Sequence, residues 1–248
     1  MGNNFYMQET LLQLKNISVH YGGVKALDGV TISLDEGEFV ALMGPNGAGK
    51  STVLKAIFGL APIEKGEVRW RGSVISPISH EMVERGVSFV PQGRRMFTHL
   101  TVLENLEMGG FVIRDSKLLK ERINEALDLF PMLKPKLKAK SGTLSGGGQQ
   151  MVALARGLIT DPKVLLLDEP SLGLAPKLVK AVFEKIHEIH KRRGVAIIIV
   201  EHNIKSLLHI VSRAYVFDKG SVVIEGKAES IVDSGILERV FLGHVGGG

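Results

Sequence analysis

The chain contains the stretch Gly44-Pro45-Asn46-Gly47-Ala48-Gly49-Lys50-Ser51, which fits the phosphate-binding pattern G-x-x-x-x-G-K-[ST]. Phe39 to Met43 precede it and predict a buried strand, and Thr52 to Ile57 follow it and predict a helix. Glycines let successive backbone N–H groups turn towards phosphate oxygens, and the start of the helix adds a positive dipole end. The stretch therefore predicts an α/β fold with a phosphate site, where Lys50 reaches the β- and γ-phosphates and the Ser51 hydroxyl ligates Mg²⁺.

A second apolar run, Val164 to Leu167, ends in two carboxylates, Asp168 and Glu169. The run shows no polar alternation, which predicts a central parallel strand with both faces buried. Beside a phosphate loop, Asp168 is placed to hold the Mg²⁺ shell. Glu169, one residue further, is placed to orient and deprotonate a water that attacks the γ-phosphate. Carboxylates at strand ends often only face solvent, but a phosphate loop in the same chain favours the catalytic interpretation.

A third stretch, Leu144-Ser145-Gly146-Gly147-Gly148-Gln149-Gln150, lies between these two elements in the chain. A single nucleotide site has no obvious need for it, so it suggests a partner. We expect a helix to begin around Gln149, so that the N–H groups before it suit a γ-phosphate. In this order the three elements resemble the ATP-binding cassette (ABC) ATPases, and the resemblance extends over nearly the whole chain.

The resemblance implies an α/β fold of a particular type: a P-loop NTPase (RecA-like) core with an antiparallel β subdomain and a helical ABC insertion. Residues 1–248 would form a single ABC ATPase domain. Within it, residues 11–92 and 158–245 would form the core and the β subdomain, and residues 93–157 would form the helical subdomain.

Local patterns agree with that division. Apolar residues alternate from Leu11 to Val19 and from Val30 to Leu34, which predicts antiparallel strands. Glu64 to Gly66 are interpreted as a turn before a further strand of this type. Leu118 to Phe130 repeat apolar side chains at helical spacing, and Pro131 is expected to stop that helix.

The same resemblance implies roles for residues outside the three stretches. Gln92, after the apolar run Val87 to Val90, would contact Mg²⁺ and the attacking water. His202, after the run Val195 to Glu201, would bond to the γ-phosphate. Tyr21 stands ahead of the phosphate loop, where the family has an aromatic residue that stacks on adenine; a purely structural tyrosine is the competing interpretation.

Three sets of site residues follow from the motifs and the resemblance. The catalytic set is Glu169, His202 and Gln92. The nucleotide-binding set is Tyr21, Gly44, Pro45, Asn46, Gly47, Ala48, Gly49, Lys50, Ser51, Thr52, Ser145, Gly146 and Gly147. The metal ligands are Ser51, Gln92 and Asp168. The resemblance places Ser145, Gly146 and Gly147 on ATP held by the other subunit of a head-to-tail dimer.

Three more segments narrow the resemblance: Pro91 to Phe97, Leu100 to Leu106 and Ser171 to Pro176. They look like the LivF-type ATPases of branched-chain amino acid importers. Such ATPases work with a second ATPase subunit, in a homodimer or heterodimer, with integral membrane permeases and, indirectly, with an extracytoplasmic solute-binding protein. The implied function is ATP hydrolysis that powers uptake of branched-chain amino acids, with ATP and Mg²⁺ bound.

The chain departs from the family pattern at three positions. Gly148 stands where close relatives usually carry Glu, which removes a carboxylate from the start of a helix. Ala175 stands where most ABC ATPases have Asp, although the LivF type shares this alanine. His202 stands where many LivF-type chains carry Gln, which weakens the narrow assignment and leaves the broad one intact.

The segment after Gln92 suggests a contact with a membrane partner. Arg94, Arg95, Met96, Phe97, His99 and Leu100 combine cationic and apolar side chains, as interface cores do. In the family, a short permease helix docks here. The alternative is that Met96 and Phe97 pack inside the helical insertion.

Composition limits the remaining choices. The 248 residues include 31 Lys+Arg and 26 Asp+Glu, a net charge of +5, and no cysteine. Disulfides are thus excluded, and a reducing compartment is compatible. The apolar runs are far shorter than the roughly 20 residues that cross a bilayer, and the first ten residues lack the apolar region of a signal peptide. We expect a soluble, cytoplasmic protein that is peripheral on the inner face of the membrane through its permeases.

The sequence also bears on other partners and functions. The basic clusters Lys134 to Lys140 and Lys191 to Arg193 lack interleaved aromatics, which argues against nucleic acid and favours a solvated or lipid-facing surface. An ATPase of another transporter, such as a lipopolysaccharide exporter, would share every catalytic motif. A soluble ABC ATPase of iron–sulfur cluster assembly would bind scaffold proteins. A non-catalytic ATP-binding regulator is suggested by Gly148 alone.

Overall fold

The computed structural model describes residues 10–93, 95–202, 207, 210–233 and 240. In this part of the chain a six-stranded sheet and a four-stranded sheet share one hydrophobic cluster. No helix among these residues is both long and apolar enough to span a membrane. The strands are β1 (Thr10–Tyr21), β2 (Val24–Asp35), β3 (Phe39–Met43), β4 (Ile63–Trp70), β5 (Ser73–Ile75), β6 (Val87–Val90), β7 (Val164–Asp168), β8 (Ala196–Val200), β9 (Arg213–Asp218) and β10 (Ser221–Lys227).

The helices are α1 (Lys50–Ile57), α2 (Ser79–Glu84), α3 (Val102–Gly109), α4 (Ser116–Leu129), α5 (Gly146–Gly157), α6 (Pro176–Arg193) and α7 (Ala228–Asp233). Two 3₁₀ turns, Pro131–Lys136 and Ser141–Thr143, lie between α4 and α5. Two helices, α1 and α2, lie between β3 and β6 of the six-stranded sheet, three lie between β6 and β7, and α6 lies between β7 and β8. The predicted α/β fold is confirmed.

The six-stranded sheet has the order β10-β9-β3-β8-β7-β6. All neighbours are parallel except the edge pair of β9 and β10. Every residue of β3, β7 and β8 is buried, which is why the sequence shows continuous apolar runs there instead of alternation. The strand β8 lies between the strand of the phosphate loop and the strand of the two carboxylates.

The register brings the ends of four strands to one edge of this sheet. Leu42 and Asp168 both pair with Val200, and Leu167 pairs with Val90. The residues that follow β3, β6, β7 and β8 must then emerge side by side. We call this row of strand ends the carboxyl edge.

The two faces of the six-stranded sheet bury separate clusters. Val40 and Leu42 belong to the cluster shared with α1 and the four-stranded sheet. Ala41 and Met43 belong to the cluster on the other face, with α5 and α6. That second cluster also contains residues of α3 and α4. The helical segment predicted over residues 93–157 therefore shares its core with the sheet, and its boundary stays a prediction.

The four-stranded sheet is antiparallel, as predicted, with the order β2-β1-β4-β5. The predicted turn at Glu64 to Gly66 is wrong, because these residues lie inside β4. The pairing register shifts between Lys15 and Ser18, and Gly66 has a φ of 90°. A Cβ on Gly66 would lie 2.3 Å from the carbonyl oxygen of Asn16. The glycine thus marks a bulge with close backbone approach within a continuous strand.

Two predicted helix boundaries have different outcomes. The helix α4 ends at Leu129, and Pro131 begins a 3₁₀ turn, so the predicted stop is confirmed. The helix α5 begins at Gly146, earlier than the predicted start at Gln149. The Ser145 hydroxyl accepts a hydrogen bond from the Gly148 N–H at 3.3 Å and serves as the N-cap. Three consecutive glycines concealed this start, because glycine is a poor helix former.

A half-buried guanidinium joins the two sheets. Arg213 Nε and Nη2 donate to the two carboxylate oxygens of Glu38 at 2.8 and 2.9 Å. Nη2 also donates to the carbonyl oxygen of Ser33 on β2 at 2.9 Å. The bonds to Glu38 raise the pKa of Arg213 above its usual range. Since Glu38 immediately precedes β3, this clamp holds the strand of the phosphate loop against β2 and β9.

We expect Arg213→Met to lower the free energy of unfolding by roughly 1.5–3 kcal/mol, because the Glu38 carboxylate would lose its charged donors. The control is Arg71→Met, which removes an exposed ion pair with Glu36 and should cost less than about 1 kcal/mol. Urea denaturation of both variants measures the difference. Equal losses would contradict the role of the clamp.

Candidate functional site

The phosphate loop follows β3 at the carboxyl edge and packs tightly on two sides. Gly44 has a φ of 137°, and a Cβ there would lie 2.2 Å from the carbonyl oxygen of Phe217. Gly49 has a φ of 98°, and a Cβ there would lie 2.6 Å from the carbonyl oxygen of Ala26. The first and last glycines of the pattern are therefore required by space as well as by backbone conformation.

Lys50 opens α1 and folds its ammonium group back over the loop. Nζ donates to the carbonyl oxygens of Gly44 at 2.8 Å and Pro45 at 2.7 Å, and the residue is 4% exposed. Burial lowers the pKa of Lys50, and the negative charges of Glu169 and Asp168 oppose that shift. The loop thus holds a partly desolvated cation close to the position where phosphate oxygens are expected.

Ser51 and Asp168 meet across the edge, although they are far apart in the sequence. The Ser51 hydroxyl donates to Asp168 Oδ1 at 2.7 Å, and Asp168 is 3% exposed. Burial raises the pKa of Asp168, and the hydrogen bond from Ser51 opposes that shift. A hydroxyl and a carboxylate are hard oxygen donors of the kind that Mg²⁺ prefers. A cation here would also offset the cost of burying the carboxylate.

Glu169 lies at the centre of a hydrogen-bonded chain of three side chains. Gln92 Nε2 donates to Glu169 Oε2 at 2.9 Å, and His202 Nε2 lies 2.9 Å from Glu169 Oε1. The Glu169 backbone has a φ of 46°, in the left-handed region that residues other than glycine seldom adopt. Its N–H donates to the carbonyl oxygen of Val200 at 2.9 Å. The three residues expected to be catalytic therefore meet at the carboxyl edge.

Glu201 is a residue of this cluster that the sequence analysis did not single out. It is 3% exposed, and its Oε1 accepts the backbone N–H of His202 at 2.9 Å. Its Oε2 accepts the backbone N–H of Ser171 at 3.3 Å. The carboxylate fixes the backbone of the histidine to the segment that follows Glu169. A signal was present, because an acidic residue directly after an apolar run is buried only when it is paired.

Tyr21 lies apart from these carboxylates, at the end of β1. Its side chain is 43% exposed. The second strand of the same hairpin carries Ala26 against Gly49 of the phosphate loop. The hairpin therefore contacts the loop through Ala26 and carries an accessible aromatic ring at the end of its first strand, while the contact with adenine stays a prediction.

Ser145, Gly146 and Gly147, which we call the signature, occupy a separate position at the start of α5. Gly147 packs against α6, where a Cβ would lie 3.0 Å from a methyl carbon of Leu178. Among the residues that the structure describes, no hydrogen bond joins Ser145, Gly146 or Gly147 to the phosphate loop or to the carboxylates. One chain thus supplies a phosphate loop and a signature that do not meet each other.

A cavity of about 590 Å³ opens between β6, the end of α1 and the helical segment. Gln92 and Asp168 contribute to its lining, so the cavity begins at the carboxyl edge. Exposed apolar side chains follow further out, among them Phe111, which is 69% exposed. We call this cavity the groove.

Part of the expected docking segment lines the groove. Phe97 is 48% exposed, and the guanidinium of Arg156 lies 5.8 Å from the centre of its ring. Arg156 Nη2 also donates to the carbonyl oxygen of Arg95 at 2.9 Å. Met96 instead packs against the cluster around α5 and α6. The alternative of inward packing therefore holds for Met96 and fails for Phe97; Arg94 lies outside the described residues.

Comparison with known proteins agrees with this geometry. A family model described as "ABC transporter" matches residues 27–172. The high-affinity branched-chain amino acid transport ATP-binding protein BraG of Pseudomonas aeruginosa is 39% identical over 94% of this chain and 100% of its own. The probable branched-chain amino acid transport ATP-binding protein LivF of Archaeoglobus fulgidus is 36% identical over 95% of this chain and 100% of its own.

A solved structure is similar over most of the chain. It is the dimeric ATP-binding cassette MJ0796 in a post-hydrolysis state bound to ADP and Pi, with 30% identity and a TM-score of 0.77. The match covers 88% of this chain and 99% of that one. The expected fold and the resemblance to LivF-type ATPases are both confirmed. The chain belongs to the ABC transporter family, as a subunit that binds and hydrolyses ATP.

Proposed function

We propose that this chain powers the uptake of branched-chain amino acids as an ATPase subunit of an ABC importer. The observation that carries the proposal is the 39% identity with BraG, which extends over nearly the full length of both chains. The polar cluster at the carboxyl edge supports it, because a transport ATPase needs a base beside its phosphate loop.

ATP hydrolysis would use the residues gathered at that edge. Lys50 would give up its hydrogen bonds to the loop carbonyl groups and donate instead to oxygens of the β- and γ-phosphates, since its ammonium group already lies above the loop. Ser51 and Asp168 would hold Mg²⁺, which offsets negative charge on the phosphates. Glu169 would orient the attacking water and accept its proton.

Gln92 and His202 would report that nucleotide is present. Both side chains bond to Glu169 at 2.9 Å. A γ-phosphate and an attacking water offer each of them a new partner, so nucleotide binding would release the carboxylate for its role as base. Because Gln92 lies at the groove, the same exchange would be felt where a partner docks.

A second ATPase subunit would complete each nucleotide site. The start of α5 presents N–H groups and a positive dipole end, which suits a phosphate. It lies away from the phosphate loop of its own chain, so a head-to-tail arrangement would place Ser145, Gly146 and Gly147 on the nucleotide of the other subunit. Two ATP molecules would then lie between two chains, either identical or different.

The groove would receive the membrane partner. Its lining combines the exposed ring of Phe97 with cationic groups such as Arg156 and Arg95, as interface cores do. A short helix of a permease subunit would fill it and hold the ATPase on the inner face of the membrane. An extracytoplasmic binding protein would act on the same permeases without touching this chain.

Other transporters and soluble ABC ATPases would use the same carboxyl edge. Lipopolysaccharide export would pair the groove with an export permease, and iron–sulfur cluster assembly would pair it with a soluble scaffold protein. Uptake of labelled amino acid by cells separates these functions, because only the importer makes uptake depend on Glu169.

We expect Glu169→Gln to retain ATP binding and to lower the ATPase kcat by about 10²–10⁴-fold, because the general base is lost. Cells that carry the variant should lose uptake of labelled leucine, isoleucine and valine. The control is Glu184→Gln, which removes an exposed carboxylate paired with Lys180 on α6. Unchanged turnover would refute the base, and unchanged uptake with turnover lost would refute the proposed import.

We expect Gly148→Glu to strengthen ATP-dependent dimerisation or to raise turnover. Position 148 lies three residues after the N-cap Ser145, so a carboxylate there completes a capping box like that of Thr101 and Glu104. A Cβ at 148 would lie 3.3 Å from Leu144, which requires only a small adjustment. Gly148→Ala separates helix propensity from the carboxylate. Equal dimer fractions in sedimentation with ATP, together with equal turnover of all three proteins, would rule out this effect.

We expect Phe97→Asp to leave the ATPase activity of the isolated protein within about twofold and to disrupt assembly with the permeases, since it places a charge at the centre of an apolar contact. The control is Val74→Asp, at an exposed position of β5 outside the groove. A pull-down from membranes compares the two. Full recovery of permeases with Phe97→Asp would remove the groove as the docking site.

A further inference from the structure

A buried amide connects the groove to another part of the molecule. Asn105, on α3, is 0% exposed. Its Oδ1 accepts the N–H of Phe97 at 3.1 Å, and its Nδ2 donates to the carbonyl oxygens of Phe97 and Thr101, both at 3.0 Å. Nδ2 also lies 2.9 Å from the hydroxyl oxygen of Ser141, which is itself 0% exposed. One side chain therefore holds both the exposed ring position of the groove and the loop before α5.

Backbone hydrogen bonds join the same two segments. The N–H of Ser141 donates to the carbonyl oxygen of Leu100 at 2.9 Å, and the N–H of Gly142 donates to that of Thr98 at 3.0 Å. A Cβ on Gly142 would lie 2.9 Å from the Thr98 carbonyl oxygen, so the backbones of the two segments are in close contact. Hydrogen bonds thus join residues 97–101 to residues 140–142 along their length.

Residues 140–142 lead directly into the signature at the start of α5. The Leu144 N–H donates to the carbonyl oxygen of Ser141 at 3.2 Å, and Ser145 caps α5. Gln149 Nε2 reaches back from α5 to the carbonyl oxygen of Leu144 at 3.2 Å. A continuous series of hydrogen bonds therefore extends from Phe97 to the first turn of α5.

An apolar residue at position 105 would leave these groups without their partner. The neighbours Val102 and Leu106 on α3 are buried and apolar, so the position is not kept polar by solvent. A buried amide is costly unless its donors and acceptors are satisfied, and here its bonds all serve to hold the two segments. The side chain is thus matched to this connection rather than to packing alone.

We propose that Asn105 is a positioning residue. It makes residues 97–101, at the groove, and the loop that leads from residue 140 into α5 move as one body. Occupation of the groove by a partner would then shift the N–H groups of α5 relative to the γ-phosphate held by the second subunit. The consequence for the second subunit rests on the proposed function, whereas the connection within this chain does not.

The test changes one end of the connection and measures the other. Ser141→Ala removes the hydroxyl that Asn105 contacts and leaves the groove untouched. The control is Thr143→Ala, which removes a hydroxyl from the same turn, one that donates to the Lys140 carbonyl instead. NMR follows the hydrogen exchange of the Phe97 amide, which is bonded to Asn105 Oδ1, and of amides in β8 as an internal reference.

We expect Ser141→Ala to raise the exchange rate of the Phe97 amide by about threefold to tenfold, the effect of weakening one hydrogen bond, with the β8 amides unchanged. Thr143→Ala should change neither. An unchanged Phe97 amide overturns the proposal, as does a uniform rise that includes β8, since that would show general destabilisation only. An equal effect of Thr143→Ala also overturns it.

A second measurement concerns the proposed ATP-dependent dimer. In a Glu169→Gln background, Ser141→Ala should weaken ATP-dependent dimerisation by about threefold to tenfold without changing ATP affinity of the monomer. Equal dimerisation of the two proteins would overturn the link to the signature. If the Glu169→Gln parent itself forms no dimer with ATP, the proposed two-subunit site fails, and the Phe97 amide alone decides the connection within the chain.

Discussion

The parallel register of β3, β8, β7 and β6 is the constraint on which the rest of the site depends. It places Leu42, Val200 and Asp168 on one level of the sheet, so that four loops emerge within reach of one another. A slip of one residue in any of these strands would exchange its buried faces and move its terminal polar group away from the cluster. The apolar runs that resist such a slip therefore position the chemistry as well as the core.

Charged side chains are buried at the same edge, although burying a charge normally costs free energy. Lys50, Asp168 and Glu201 are each at most 4% exposed, and each is tolerated because hydrogen bonds satisfy it within the cluster. Removing one partner leaves an uncompensated group behind, which costs more than the lost bond itself. The arrangement is consequently sensitive to substitutions that touch neither nucleotide nor partner, and the Arg213 clamp behind β3 extends that sensitivity to the second sheet.

The sequence was most informative where function follows a strand end. Glu169 and His202 each come directly after or within two residues of a buried run, so parallel pairing alone predicts that they are neighbours. It was less informative where contacts join distant segments, as for Glu201, whose partner Ser171 no local pattern identifies. Gly66 was misassigned because a glycine serves a turn and a bulge equally well, and the start of α5 was missed because its cap is visible only from the bond that Ser145 makes.

Glu169 occupies a backbone conformation that glycine or asparagine would adopt more readily, and such conformations cost on the order of 1–3 kcal/mol in other residues. A design procedure that ranks substitutions by stability would therefore favour removing this glutamate. The resulting protein would have a higher free energy of unfolding and no ATPase activity. The position is better regarded as a marker of selection for chemistry over conformational ease. In related chains of unknown activity, a glutamate retained with a positive φ directly after a strand such as β7 would distinguish a working ATPase from one that has become a structural subunit.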